Sequence, residues 1–291
     1  MSDLAQYLVL GITLGSIYAL VALGFVTVYS VTGVINFAQG ESVMLGAMLT
    51  TQFIHDGLPL PVSAVLAVAG AALVGAVVHE VALRPAWRRV SALGMIMITI
   101  GAATAIRGVA LLVWGTDPRP MDPFTAGPPL QIAGAAMARQ TIWVIATTAV
   151  ALAALYLFFQ KTSLGRALRA CAVNPLAARL VGISPRRMAL AAFMLSGAVG
   201  AIGGVVLAPI TFATYDMGLM LGLKGFVGAV LGGLANPLGA VVGGLVLGLL
   251  EAAATPISSS YKDAAAFVVL IVVMVARPSG LFGRAIVRGG L

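Results

Sequence analysis

The sequence predicts an all-α integral membrane protein, a bundle of about 8–9 transmembrane segments with its N-terminus outside and its C-terminus inside. Three observations lead there. The 291 residues are 60% hydrophobic and only 9% charged, whereas a soluble domain carries about a quarter charged residues. Mean hydropathy is +1.07, and the apolar runs approach the roughly 20 residues that a bilayer-spanning helix needs. Those runs are apolar on every side, without the alternation that membrane β-strands require.

Nine apolar segments follow in order: about 7–30, 40–55, 60–83, 91–114, 140–160, 188–208, 219–234, 238–256 and 264–276. Segments 40–55 and 219–234 are short and Gly-rich, so either is a half-helix or re-entrant candidate, which would leave seven or eight full spans. The first run is too long for the h-region of a signal peptide, and Asp3 without Lys or Arg is the wrong flank for one. It is expected to be the first membrane helix of a single transmembrane domain over 1–291.

Charge sets the orientation. The net charge of +8 need not mean nucleic acid, because basic residues mark cytoplasmic loops. An external N-terminus places Arg84, Arg88, Arg89, Lys161, Arg166, Arg169, Arg179, Arg186, Arg187, Arg277, Arg284 and Arg288 inside. Asp3, Asp56, Asp117, Asp122, Asp216 and Asp263 then fall outside, with Arg119, Arg139 and Lys262. Arg107 and Lys224 fall within segments and are expected to snorkel to the outer interface. Glu251 is expected to face water at the outer end of its segment.

Several chemistries are excluded. A phosphate-cradling loop needs G-x-x-x-x-G-K-[ST], and none of Lys161, Lys224 and Lys262 follows a glycine in that frame. His55 and His79 stand alone, no HExxH or Cys/His cluster exists, and no Ser/His/Asp set suggests itself. Cys171, the single cysteine, rules out an internal disulfide. Catalysis by this chain is not expected, and neither is a cofactor bound to it.

Small residues recur at four-residue spacing in Gly11/Gly15, Gly239/Gly243 and Gly244/Gly248. That spacing suits close backbone approach between helices, either as static packing or as a moving interface. The Pro- and Gly-rich stretch 116–140 is too polar to span and is expected outside, as part of a docking face.

Between segments 5 and 6 lies the basic stretch 161–187. Ser163 reads as the cap of one short helix, "SLGRALRAC". Asn174 caps a second, with Pro175 at its first position, a favoured pair. Ala177 and Ala178 would give that helix a small face, Gly182 stops it, and Pro185 forbids simple continuation. A merely solvated loop needs neither caps nor a stop, so these helices, carrying Arg166, Arg169 and Arg179, suit insertion into a groove on another protein.

"VINFAQGES" gathers Asn36, Gln39, Glu41 and Ser42 where one apolar segment breaks into the next. Broken helices put their ends at substrate routes. Two roles are open: Glu41 caps a helix start, or Asn36 and Gln39 line a channel. Gly232, Gly233, Asn236 and Pro237 echo the break in the second half. Thr99 and Arg107 are weaker pore candidates.

"NPLAARLVGI" resembles the coupling loop of ABC importer permeases, with Ala177, Ala178 and Gly182 in the expected places and Leu176 where an acidic residue is usual. "LGSIYALVALGFVTVYSVTGVINFAQGESVMLGAM" (14–48), "AVLGGLANPLGAVVGGLVLGLLE" (229–251) and "RPSGLFG" (277–283) resemble, in order, the H-type permease subunit of the high-affinity branched-chain amino acid importers. That resemblance implies a multi-pass protein of the bacterial inner membrane. It also implies a second, M-type permease, two cytoplasmic ATPases holding ATP and Mg2+, and an external solute-binding protein. Relatives of the subfamily are similar to carriers of urea, short amides and aromatic acids. The competing expectation is a gradient-driven transporter or channel working alone, for which only Glu41, Glu80 and Glu251 would serve as acidic candidates.

Overall fold

The computed structural model describes residues 2–87, 89–132, 135–255, 262–277 and 280–282. Of the sequence-level charge tally, Arg88, Arg284 and Arg288 lie outside these described residues, as does Gly283 of the terminal motif.

The described chain is helical, apart from one small hairpin. The long helices are α1 (Ser2–Thr32), α3 (Leu60–Val77), α5 (Ala92–Trp114), α6 (Arg139–Lys161), α9 (Pro185–Thr211) and α11 (Pro237–Ala254). Between and beyond them lie the shorter α2 (Gln39–His55), α4 (Arg84–Ala86), α7 (Ser163–Val173), α8 (Pro175–Leu180), α10 (Met217–Gly232) and α12 (Lys262–Ala276). α3 runs through a π-helical turn, Val78–Leu83, into α4. In the stretch 116–140, β1 (Leu130–Ile132) and β2 (Ala135–Met137) pair antiparallel, with Leu130 opposite Met137.

Among the described residues, six helices are long and apolar enough to cross a bilayer: Leu4–Thr32, Leu60–Ala86, Ala92–Trp114, Arg139–Lys161, Pro185–Thr211 and Pro237–Ala254. α2, at 17 residues, and α10, at 16, are the short Gly-rich pieces. α3, α5 and α6 turn large apolar side chains such as Val65, Leu112 and Val150 outward. Exposed apolar surface on that scale is tolerated only against lipid or a partner, so the chain is a multi-pass membrane protein.

α1 is the pillar. From Ile17 to Val28 it is almost entirely buried, against α11, α9, α10 and α6. Lipid tails are as apolar as Leu, so helices here gain little from hiding apolar surface and must gain from close contact. Glycine permits that contact. A Cβ on Gly244 of α11 would sit 2.5 Å from the Ala19 backbone nitrogen of α1, and one on Gly248 would sit 2.2 Å from that of Gly15. Gly46 of α2 meets the Ala201 backbone of α9 in the same way. The four-residue glycine pairs of the sequence are thus close-packed seams in this structure.

Gly244→Leu should therefore separate α1 from α11. Overpacking costs about 1–3 kcal/mol where side chains can yield, and more here because the obstacle is backbone. Gly108→Ala in α5, where an added Cβ meets nothing within 4 Å, should instead stabilise by roughly 0.5–1 kcal/mol through helix propensity. Unfolding midpoints of the purified chain in detergent check both; equal midpoints for the two variants would contradict the seam.

Candidate functional site

The α1–α2 break is built from the backbone outward. Gly33, at φ +70°, ends α1 by donating its N–H to the Tyr29 carbonyl at 2.7 Å, and Val34 N–H donates to the Thr32 hydroxyl at 3.1 Å. Asn36 is buried, and its side-chain carbonyl accepts from Ala38 N–H at 3.2 Å. Thr99, on α5 and fully buried, accepts from Phe37 N–H at 3.2 Å and donates to the Ile96 carbonyl at 2.8 Å. The N–H groups of Val34, Phe37, Ala38 and Gln39 are thus met by neighbours, as a medium without water demands.

Gln39 opens α2 and is the centre of a three-helix tie. Its Nε2 donates to the Ser196 carbonyl of α9 at 3.0 Å, and its Oε1 accepts from the Ser196 hydroxyl. That hydroxyl also lies 2.9 Å from the Gly24 carbonyl of α1. Gly24 has to be glycine: a Cβ there would stand 1.9 Å from Gln39 Nε2. Ser42, also buried, rests its Cβ against Gly200 of α9. Gln39 is thus sealed among three helices and forms no open channel wall here.

One turn on, Glu41 is buried and its Oε1 pairs with Arg107 of α5 at 2.6 Å. Its Oε2 has no hydrogen-bond partner among the described residues, and neither does Arg107 Nε. Glu41 Oε2 lies at the start of α10, 2.7 Å from where a Gly218 Cβ would be. Helix N-termini carry partial positive charge, so the carboxylate is met by the first turns of both α2 and α10 as well as by Arg107. Gly40 makes the crossing possible by packing on the backbone of Gly218 and Gly222.

A second ionic cluster lies elsewhere in the bundle. Lys224 of α10 pairs with Glu251 Oε1 of α11 at 2.7 Å, the Tyr18 hydroxyl of α1 donates to Glu251 Oε2 at 2.7 Å, and Lys224 Nζ stands 5.5 Å from the Tyr18 ring centroid. Lys224 and Glu251 are both buried. This corrects two expectations: Lys224 is buried on Glu251 and does not reach water, and Glu251 does not face it, while the partly exposed Arg107 is held by Glu41. Each charge stays inside because a partner of opposite sign on another helix meets it. The signal was in the sequence, since an ionisable residue within a membrane segment is functional by default; the pairings across helices were not.

The arginine-bearing helix pair follows α6. Thr162, and not Ser163, caps α7: its hydroxyl accepts from Gly165 N–H at 2.9 Å. Ser163 is the first helical residue. Gly165 lets α7 fold back onto α6, since a Cβ there would come within 2.2 Å of the Phe158 carbonyl. Leu168 and Cys171 are buried against the bundle. Burial pushes the Cys171 thiol above its ordinary pKa, with Arg179 pulling weakly the other way.

Asn174 caps α8 by accepting from the N–H groups of Leu176 and Ala177, both at 3.0 Å, with Pro175 in the first turn. Gly182, at φ +83°, closes it: Ile183 N–H returns to the Ala178 carbonyl at 2.9 Å and Gly182 N–H to that of Arg179 at 3.0 Å. Arg166, Arg169, Arg179 and Ala177 are exposed, but Ala178 is buried. The expected small face is therefore split. One alanine packs inward, and the outward side is apolar and large: Leu176, Leu180 and Val181 are 70%, 90% and 74% exposed.

Asn236 caps α11 through Leu238 and Gly239 N–H at 3.1 and 3.2 Å, and its Nδ2 donates to the Phe282 carbonyl at 3.3 Å. Asn36, Gln39, Glu41, Ser42 and Thr99 gather at the break with Arg107; Asn236 does not join them and lies instead beside Arg169, at the α7 end of the bundle.

The family described as the permease component of the branched-chain amino acid transport system matches residues 7–276. Among curated relatives, the chain is 33% identical to the high-affinity branched-chain amino acid transport system permease protein LivH of Escherichia coli K12, over 94% of each chain. It is 32% identical to the corresponding protein BraD of Pseudomonas aeruginosa, over 96% of this chain and 95% of that one. A more distant match is the autoinducer 2 import system permease protein LsrC of Escherichia coli, 29% identical over 75% of this chain and 61% of that one. With a family match over most of its length and relatives above 30% identity at nearly full coverage, this chain belongs to the branched-chain amino acid transport permease family.

Proposed function

We propose that this chain is one permease of an ATP-driven importer that carries branched-chain amino acids, or a related small solute such as urea, an amide or an aromatic acid, delivered by an external binding protein. The observation that carries the proposal is α8: a helix capped at both ends, flanked by arginines, with Leu176, Leu180 and Val181 held outward. Such a crest suits a groove on a separate ATPase, which would hold the ATP and Mg2+. The complete carrier comprises this chain, an M-type permease, two cytoplasmic ATPases and the binding protein, in a bacterial inner membrane. The chain crosses it nine times, counting α2, α10 and α12 with the six long helices, with its N-terminus out and its C-terminus in.

In this scheme solute passes beside the break, where the rings of Phe37 and Phe226 lie 5.2 Å apart at a tilt of 49° and remain partly exposed. Asn36, Gln39, Ser42 and Thr99 support that surface from behind. Glu41 and Arg107 neutralise each other, as do Lys224 and Glu251, which argues against a carrier driven by binding a coupling ion at these carboxylates.

Three measurements bear on this. Leu176→Glu with Leu180→Glu should abolish most of the ATP hydrolysis that loaded binding protein stimulates, with the permease pair still recovered intact; stimulation at the wild-type level would remove α8 as the contact. Glu41→Leu leaves Arg107 without its carboxylate and should destabilise by about 3–5 kcal/mol. Adding Arg107→Leu should recover much of that loss without restoring uptake, and a double variant as unstable as the sum of the singles would dissolve the pair.

Topology is tested with an impermeant maleimide in a Cys171→Ser background. Ala126→Cys should label on intact cells, and Val173→Cys, which replaces an 87% exposed side chain, only after permeabilisation. The opposite pattern puts α8 beyond reach of any ATPase. Native Cys171 is a poor probe: its raised pKa leaves less thiolate. It should label more slowly than Val173→Cys on permeabilised cells, by a margin that shrinks as pH rises.

A further inference from the structure

Between α6 and α11, floored by α1 and closed at one end by α7, lies a cleft of about 450 Å3. Its walls are apolar, with Leu23 below, Leu155 and Phe159 on one side and Val241 on the other. The hydroxyls of Thr27 and Ser30 on its floor are spent on their own helix, donating to Leu23 and Thr27 carbonyls at 2.7 and 3.3 Å. Nothing inside asks for a polar ligand. Polar groups gather at the α7 end, where Arg169 is exposed and gives one N–H to Gln160 Oε1 at 3.0 Å. A guanidinium has five donors, so most of its capacity is unspent in that bond. Arg166 stands one turn earlier on the same helix.

We propose that this cleft holds one acyl chain of an anionic phospholipid, with its phosphate met by Arg169. Two features select that occupant. The close-packing seams that helices use in membranes are Gly-rich, and those of α1 and α11 are already consumed by each other. Finally, apolar length ending at a cation matches an anionic lipid end to end. Because α7 forms the end wall and leads through Asn174 into α8, the lipid braces the helix that projects from the bundle.

The test needs no transport, so it stands or falls apart from the proposed solute and ATPases. The purified full-length chain is delipidated in detergent and titrated with phosphatidylglycerol or phosphatidylcholine of identical acyl chains, and bound lipid is counted by native mass spectrometry. One basic residue near a membrane surface is worth about 1 kcal/mol toward anionic lipid, so phosphatidylglycerol should bind about five-fold more tightly at one site. Arg169→Ala should remove that preference and leave both lipids bound. Ala172→Trp and Val241→Trp fill the cleft from opposite walls, and each should abolish the adduct while the chain stays monodisperse. If neither folds, the Arg169→Ala comparison decides alone. Equal affinity of the wild-type chain for the two lipids overturns the proposal, as does an adduct that survives a folded cleft-filling variant.

Discussion

A helix cannot break inside a membrane unless every backbone group it frees finds a partner. That constraint organises the structure around residues 33–42. The break between α1 and α2 persists because Asn36 serves its own loop, Thr99 reaches in from α5, and Gln39 ties α2 to Ser196 and to the Gly24 turn of α1. With them, α2 starts within the bundle, and its N-terminus meets that of α10 through Gly40, Gly218 and Gly222. The polar residues at the break are the means by which a short helix is allowed there.

Charge follows from the same geometry. Two helix starts converge, and Glu41 is the anion that lies between them, with Arg107 completing the balance. Lys224 and Glu251 repeat the solution between α10 and α11, with Tyr18 filling the second carboxylate position. Removing one member of a buried pair is costly, whereas the intact pair adds little net stability. Such pairs therefore specify which helices lie side by side more than they strengthen the bundle. α10 takes part in both clusters, against α2 and α5 on one side and against α11 and α1 on the other, so a displacement of α10 would be felt at each.

The helix pair α7–α8 is built on a different rule. It is held to the bundle by Gly165, Leu168, Cys171 and Ala178, and it shows bulky apolar side chains to the outside. Outward Leu176, Leu180 and Val181 on so short a helix would be unfavourable in isolation. Caps at both ends keep them presented, and the cleft behind α7 leaves the pair resting on a wall that is apolar within and cationic at its rim.

Much of this was legible in the residues alone. Each of the nine apolar segments overlaps a helix, and six of those helices are long enough to span a bilayer. Asn174, Pro175 and Gly182 announced α8, because capping chemistry is local and is read within four residues. Family resemblance rested on motifs spread along the chain, which the family match bears out. What the sequence could not show depended on facing. Ala178 and Ala177 look alike in a string, yet one is buried and the other exposed, since only the packed position of α8 decides which side meets the bundle. Thr162 replaced Ser163 as a cap because the true helix start depends on how α7 folds back on α6. Arg107, Lys224 and Glu251 looked like residues reaching for water because their partners lie 66 and 27 positions away. The periodicity of a helix tells how one side chain stands to the next turn; which helix stands opposite is settled by the packing of the whole bundle, and there the charges found each other.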